Sequence, residues 1–239
     1  MKNPYQKLLQ RKRKWTPVQT TAGTCMDGSQ ETLRRVIALR HMELPVGDFI
    51  TDALSTDVPE LARELLLSNV KDEENHDLAL GYIATAFGVD PKAEKEALAL
   101  REAWTSHPDH TILKAMVAER AIFFVLLPFL RWNGDAGMRT VSADISRDEQ
   151  VHVAANSIVC RELKLEASPS LDKLRKATIN WVMQPLGTNT TDKKLDKKFW
   201  LRASDQLMYQ GKAPELSYTK SARMPAFFEH SNVNLPSYA

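Results

Sequence analysis

The sequence predicts an all-α protein. Apolar residues recur at helical spacing from about Gln30 onward, no stretch alternates apolar and polar residues as a strand does, and only 9 of 239 residues are glycine. Apolar residues make up 43% of the chain and charged residues 26%, values typical of a globular protein with one sizeable core. These proportions exclude a disordered or fibrous chain.

Proline and glycine predict where the helices begin and end. Pro45 is expected to close the first helix and Pro59 to open the second, because proline cannot continue a helix but suits its first position. Gly88 should end the second helix, and Pro128 should kink the long apolar one. The predicted helices cover residues 32–44, 59–87, 90–105, 111–131, 138–163, 169–183 and 192–209.

Charge and composition divide the chain into a basic N-terminal arm (1–28), a helical domain (29–210) and a C-terminal tail (211–239). The two cysteines, Cys25 and Cys160, are too few for a disulfide framework or a zinc finger. A net charge of +2 does not argue for a nucleic-acid partner, and no apolar run is long enough to span a bilayer. We therefore expect a cytoplasmic protein that binds neither nucleic acid nor membrane.

Two E-x-x-H motifs carry the candidate chemistry. Glu73 and His76 form the first, and Glu149 and His152 form the second. A three-residue step places both side chains of a motif on one face of a helix. Both residues of the second motif follow those of the first by 76 positions, since 149 − 73 and 152 − 76 give the same number.

A further glutamate stands thirty residues before each motif, and Glu43 and Glu119 are again 76 positions apart. The register therefore predicts a two-helix hairpin that is used twice. Bundles with a dimetal-carboxylate centre take a glutamate from each of two helices and Glu-x-x-His from each of the other two. A single E-x-x-H is more often a surface pair, so the prediction depends on the repetition. The six predicted ligands are Glu43, Glu73, His76, Glu119, Glu149 and His152.

Two divalent cations would neutralise the four carboxylates, which would be costly to bury unpaired. Oxygen and imidazole ligands suit iron or manganese, although they do not exclude zinc. Glu74 is a competing ligand beside Glu73, but only Glu73 has the three-residue step to His76.

The segment AERAIFFVLLPFLRWNGDAGMRTVSADISRDEQVH resembles the small, radical-generating subunit of class I ribonucleotide reductase, where a glutamate and an I-F-F run lead to I-S-R-D-E-x-x-H. The sequence Lys14-Trp15-Thr16-Pro17 is similar to the family's N-terminal W-x-P. Phe227-Phe228-Glu229 is similar to the F-F-E that opens its C-terminal tail. The resemblance implies a ferritin-like fold, a homodimer, and the large catalytic subunit as partner.

The resemblance also implies roles for residues beyond the six ligands. Asp148 would accept a hydrogen bond from a ligand histidine, and Trp15 would relay an electron and a proton between the metal site and the surface. Tyr238, or alternatively Tyr218, would pass the oxidising equivalent to a cysteine of the large subunit. That subunit reduces ribonucleotides to deoxyribonucleotides, and the sequence leaves open whether they are diphosphates or triphosphates.

Leu80 stands where many members of that family carry a radical-bearing tyrosine. Leucine cannot hold a stable radical, and Tyr82 lies about 200° further around the helix. The resemblance therefore implies that the oxidised dimetal cluster itself stores the oxidising equivalent. A Mn/Fe pair is favoured, and Fe/Fe and Mn/Mn pairs stay open.

Two other functions also stay open. A stand-alone dimetal oxygenase of the ferritin-like superfamily would act on a small apolar substrate and would need no tail tyrosine. A ferroxidase or iron-storage protein would have little use for Trp15 or Asp148.

Overall fold

The computed structural model describes residues 3–56 and 58–216, which confirm the all-α prediction. Within these ranges the β-type pairing is limited to an isolated bridge between Gly187 and Asp196. The α-helices of the described residues are α1 (Pro4–Leu9), α2 (Gln30–Ala38), α3 (Glu43–Leu54), α4 (Arg63–Phe87), α5 (Pro91–Thr105), α6 (Thr111–Ala118), α7 (Phe124–Asn133), α8 (Ala136–Glu162), α9 (Pro169–Met183) and α10 (Lys197–Gln210).

Four helices form a closed ring around the predicted ligands. Helix α3 packs on α4, α4 on α8, α8 on α6, and α6 on α3. Fully buried aliphatic side chains such as Val46, Leu66, Val117 and Ala155 come from all four, and their burial supplies most of the driving force for packing. The ring thus encloses both E-x-x-H motifs.

The prediction that Pro45 ends a helix is wrong. Helix α3 begins at Glu43, directly after a 3-10 turn at Leu39–Met42, and contains Pro45 in its first turn. Proline is tolerated there because the first amide N–H groups of a helix have no intrahelical acceptor. The residues expected to form a turn up to Asp57 are therefore mostly the helix that carries Glu43.

The other predicted helices agree with the structure within a few residues. Helix α9 has the predicted bounds, and Gly88 follows α4 with a φ of +87°. The last predicted helix divides into a 3-10 turn at Lys193–Leu195 and α10. Helix α7 continues through Pro128, and the chain leaves α geometry earlier, in a π-helical segment at Glu119–Phe123 between α6 and α7.

Two hydrogen bonds connect helix α10 to the π-helical segment. The hydroxyl of Ser204 donates to the carbonyl oxygen of Ala121 at 2.6 Å, and Arg120 Nε donates to the carbonyl oxygen of Leu207 at 2.8 Å. Short π-helical insertions occur often at functional sites. Because Glu119 is the first residue of this segment, these two bonds fix the backbone that carries a predicted ligand.

A buried arginine joins α9 to α10. Arg175 is fully buried, and it donates to Asp172 Oδ1 at 2.9 Å, to Ser204 Oγ at 2.6 Å and to Asp205 Oδ1 at 2.7 Å. The same Ser204 hydroxyl bonds the π-helical segment. Arg175 therefore supports the position of that segment through one intervening side chain.

Asp172 makes the stability of this junction dependent on pH. Burial alone would raise the pKa of Asp172, but hydrogen bonds from Lys176, Tyr209 and Arg175 lower it to about 2. A carboxylate with a lowered folded-state pKa stabilises the protein above its unfolded pKa, and this contribution is lost as the pH falls through the folded value. We expect Asp172→Asn to lower the free energy of unfolding by roughly 1–2 kcal/mol at neutral pH.

The deficit of Asp172→Asn relative to wild type should shrink as the pH falls from about 4 to about 2. Urea unfolding at a series of pH values measures it. A deficit that stays constant across that range would contradict the role given to the carboxylate charge.

The basic N-terminal segment lies across the bundle. Helix α1 packs on α4 and α8 and buries Tyr5 and Leu8, while Lys12 and Arg13 bind carboxylates of α4 and α8. At the other end, Leu216 is buried in a 3-10 turn. No helix in the described part of the chain combines the length and the apolar character needed to cross a membrane.

Candidate metal centre

The structure brings all six predicted ligands into the centre of the helical ring. Their side chains come from α3, α4, the π-helical segment and α8, and each residue is at most 1% exposed. They form two overlapping groups whose potential ligand atoms lie within 4.8 Å of one another. One group is Glu43, Glu73, His76 and Glu149, and the other is Glu73, Glu119 and His152.

His76 is the centre of the first half-site, which also contains Glu43. Its Nδ1 lies 3.3 Å from Glu73 Oε2, 3.5 Å from Glu149 Oε1 and 3.6 Å from Glu43 Oε2. These atoms are oxygen and nitrogen donors of the type that iron and manganese accept.

His152 is the centre of the second half-site, which also contains Glu119. Its Nδ1 lies 2.9 Å from Glu73 Oε1, 3.7 Å from Glu119 Oε1 and 3.9 Å from Glu149 Oε2. Glu73 and Glu149 therefore each turn one oxygen toward each imidazole, and the two imidazole ring centres are 5.6 Å apart. Each of these two carboxylates could therefore offer one oxygen to an ion in either half-site.

The atoms that face the centre lack hydrogen-bond partners. Nδ1 of both histidines, both oxygens of Glu73 and Glu149, and one oxygen each of Glu43 and Glu119 are buried without a hydrogen bond. A buried polar group without a partner costs about 1–3 kcal/mol. Eight such atoms surround the centre of the helical ring. A pair of divalent cations bound there would supply the partners that these atoms lack.

The carboxylates and imidazoles of the centre also compete for protons. Burial alone would lower the pKa of His152, but the charge of Glu73 and a hydrogen bond with Asp72 raise it to about 10. Burial raises the pKa of Glu119 to about 8 and that of Glu43 to about 7. Metal ligands bind in their deprotonated forms, so a cation at this centre would displace protons.

Each imidazole has an aspartate next to its Nε2 atom, on the side of the ring away from the centre. His76 Nε2 lies 3.4 Å from Asp148 Oδ2, and His152 Nε2 lies 2.9 Å from Asp72 Oδ2. A carboxylate only accepts hydrogen bonds, so Nε2 carries the hydrogen in each pair, and Nδ1 would offer its lone pair to a cation once its own proton is displaced. Asp148 lies where it could accept the hydrogen bond that the sequence analysis expects of it.

The N-terminal segment contacts both aspartates. Trp15 Nε1 donates to Asp148 Oδ2 at 2.5 Å, and Arg13 Nε lies 3.3 Å from Asp148 Oδ1. The ammonium group of Lys12 forms an ion pair with Asp72. The Trp15 ring stacks near His76 with ring centres 6.3 Å apart. A segment predicted as a basic arm thus supplies the outer contacts of the site.

Sequence reasoning did not identify Asp72 or Asn156. Asp72 precedes Asp148 by 76 positions, so the register contained the signal. Asn156 Nδ2 donates to Glu119 Oε2 at 2.6 Å, and its position four residues after His152 on one helix face was the available clue.

The remaining predicted residues divide into three cases. Glu74 is exposed while Glu73 is buried, which agrees with the choice of Glu73. Leu80 is buried in α4, and Tyr82 is partly exposed. Tyr218 and Tyr238 lie outside the described residues.

Comparisons with known proteins found no match: no protein-family model matches the chain, nor does any curated protein or solved structure. The described residues form an all-helical bundle whose buried carboxylate and histidine clusters could hold metal ions.

Proposed function

We propose that this chain is the small subunit of a class I ribonucleotide reductase, with a ferritin-like fold and two metal ions per chain. In this proposal Mn/Fe is the favoured pair and Fe/Fe or Mn/Mn the alternatives. The protein would act in the cytoplasm as a homodimer together with the large catalytic subunit. The bound ions would supply the oxidising equivalent that starts ribonucleotide reduction in that subunit.

One observation carries the proposal beyond a generic metal site. A continuous path leads from a partly exposed indole, Trp15, through Asp148 to the buried imidazole of His76. A site that only stored iron or bound metal for stability would not need an oxidisable aromatic side chain at this place. The path suits a protein that passes an oxidising equivalent to a partner.

The side chains of the path have separate tasks. Asp148 fixes the His76 ring and also accepts the indole N–H, so that the proton stays hydrogen-bonded when the indole loses an electron. Burial alone would raise the pKa of Asp148, but hydrogen bonds from His76 and Trp15, together with the nearby charge of Arg13, lower it and so favour the charged carboxylate. Leu80 itself offers no oxidisable group, and among the described residues the rings that stack near His76 are those of Trp15 and the predicted ligand His152.

A specific observation favours the alternative, a stand-alone dimetal oxygenase. A cavity of about 440 Å³ lies beside the π-helical segment that carries Glu119. Its lining combines apolar side chains such as Met116 and Leu165 with the charged side chains of Arg120, Arg161, Lys164 and Glu166. An oxygenase needs such a space for its substrate. The same metal centre would then act without a partner subunit.

The test compares reductase turnover of wild type and Trp15→Phe. Each is loaded with manganese, iron and oxygen and mixed with the class I large subunit of the same organism, with ribonucleoside diphosphates or triphosphates as substrate. We expect deoxyribonucleotide formation to fall at least about a hundredfold in Trp15→Phe while the metal content stays unchanged. Tyr218→Phe and Tyr238→Phe identify the tail tyrosine.

Trp181→Phe is the matched control, because Trp181 Nε1 also donates to a carboxylate, Glu96 Oε2, at 2.7 Å. It should keep full turnover. Oxygen consumption coupled to product formation without the large subunit, and indifferent to both tail tyrosines, would favour the oxygenase. Rapid oxidation of iron beyond about two ions per chain would indicate a ferroxidase instead.

A further inference from the structure

The two half-sites differ in how firmly their carboxylates are held. Asn156 is fully buried, and its side-chain amide donates to Glu119 Oε2 at 2.6 Å. This bond leaves Glu119 Oε1 facing His152 Nδ1 at 3.7 Å. The carboxylate of the second half-site is therefore fixed in orientation by a neutral donor.

The first half-site has no equivalent amide. The residue 76 positions before Asn156 is Leu80, which is buried at 4% exposure and carries no polar side-chain atom. Its counterpart ligand is Glu43, and within the described residues no side-chain amide donates to the Glu43 carboxylate, whereas Glu119 accepts the bond from Asn156. The 76-residue spacing relates the two sets of three predicted ligands. It does not extend to Asn156, because the equivalent position in the first half-site is Leu80, which cannot donate a hydrogen bond to Glu43.

The imidazole of the second half-site is also closer to its supporting aspartate than the imidazole of the first. His152 Nε2 lies 2.9 Å from Asp72, whereas the corresponding distance from His76 Nε2 to Asp148 is 3.4 Å. Asp72 is held by Lys12, whose ammonium group also donates to Asn69 Oδ1 at 3.0 Å. In the second half-site, His152 thus has the shorter bond to its aspartate, and Glu119 has a supporting bond that Glu43 lacks.

We propose that the half-site of Glu119 and His152 is preorganised and takes the first metal ion, and that the Asn156/Leu80 difference sets this order. The inference rests on the proposed dimetal centre. A ligand that is already oriented loses less freedom on binding, so the preorganised half-site binds its ion more tightly. Asn156 acts as a positioning residue through Glu119.

The experiment is a titration of the metal-free full-length chain with Mn²⁺ alone under anaerobic conditions. Free Mn²⁺ is followed by its electron paramagnetic resonance signal. Wild type should bind in two separate phases of one ion each. Asn156→Leu should weaken the tight phase about 10–100-fold and leave the weak phase unchanged.

The reciprocal variant, Leu80→Asn, tests the same idea in the opposite direction. It places an amide where Glu43 lacks one, and the weak phase should tighten about tenfold toward the strong one. This gain cannot come from damage to the fold, so it remains informative if Asn156→Leu folds poorly. Asn133→Leu is the control, because it removes a buried amide that instead bonds the carbonyl of Phe129.

The outcomes separate this inference from the proposed centre. Two equal phases in wild type, or equal weakening of both phases in Asn156→Leu, would overturn the ordered loading while leaving a dimetal centre intact. Failure of folded wild-type protein to bind Mn²⁺ would overturn the centre itself, and the loading order with it.

Discussion

Glu149→Ala is expected to reduce the bound metal from about two ions per chain to fewer than about one. Glu149 turns one oxygen toward each imidazole, at 3.5 Å from His76 and 3.9 Å from His152, so its removal takes a ligand from both half-sites. The measurement is elemental analysis of desalted protein after manganese, iron and oxygen have been supplied. Glu43→Ala, which touches one half-site, should retain about one ion.

Glu74→Ala is the control for this prediction, since Glu74 is an exposed neighbour of Glu73 on the same helix. It should bind as much metal as wild type. Equal metal content in Glu149→Ala and Glu74→Ala, with both proteins folded, would contradict the assignment of the buried cluster as the metal centre.

Arg175→Leu is expected to lower the free energy of unfolding by about 3–5 kcal/mol, because it removes a fully buried cation that donates to Asp172, Ser204 and Asp205. For a chain of this size that corresponds to a fall in Tm of roughly 6–20 °C. Calorimetry of the metal-free protein measures it without a contribution from bound ions.

Lys176→Met provides the matched comparison for Arg175→Leu. Lys176 pairs with the same carboxylate group, Asp172, at 2.8 Å, but its side chain is 50% exposed, whereas that of Arg175 is fully buried. Exposed ion pairs contribute about 0–1 kcal/mol. Similar losses in the two variants would show that burial does not govern the effect.

The six residues of the buried carboxylate and histidine cluster could be predicted from sequence because the prediction depends on residue identity and spacing. Glu43 and Glu119 were identified at a separation of 76 residues even though the helix carrying Glu43 was misplaced. The error at Pro45 arose because proline ends one helix and begins another with the same local geometry. Only the packing of α3 on α4 and α6 decides between these possibilities.

The support of the site could not be predicted in the same way. The π-helical segment has a sequence that suits an ordinary α-helix, and its shape depends on hydrogen bonds from Ser204 and to Leu207, more than eighty residues away. The contact between Lys12 and Asp72 likewise joins residues sixty positions apart. Such tertiary contacts leave no periodic trace in the sequence.

The two hairpins repeat the residues Glu43, Asp72, Glu73 and His76 at Glu119, Asp148, Glu149 and His152. This is the pattern that duplication of one ancestral helical hairpin would leave. A pair of identical hairpins could assemble the same six ligands, but both copies would necessarily carry the same residue four positions after the histidine. A single chain does not have that constraint, and Asn156 and Leu80 stand at the two equivalent positions.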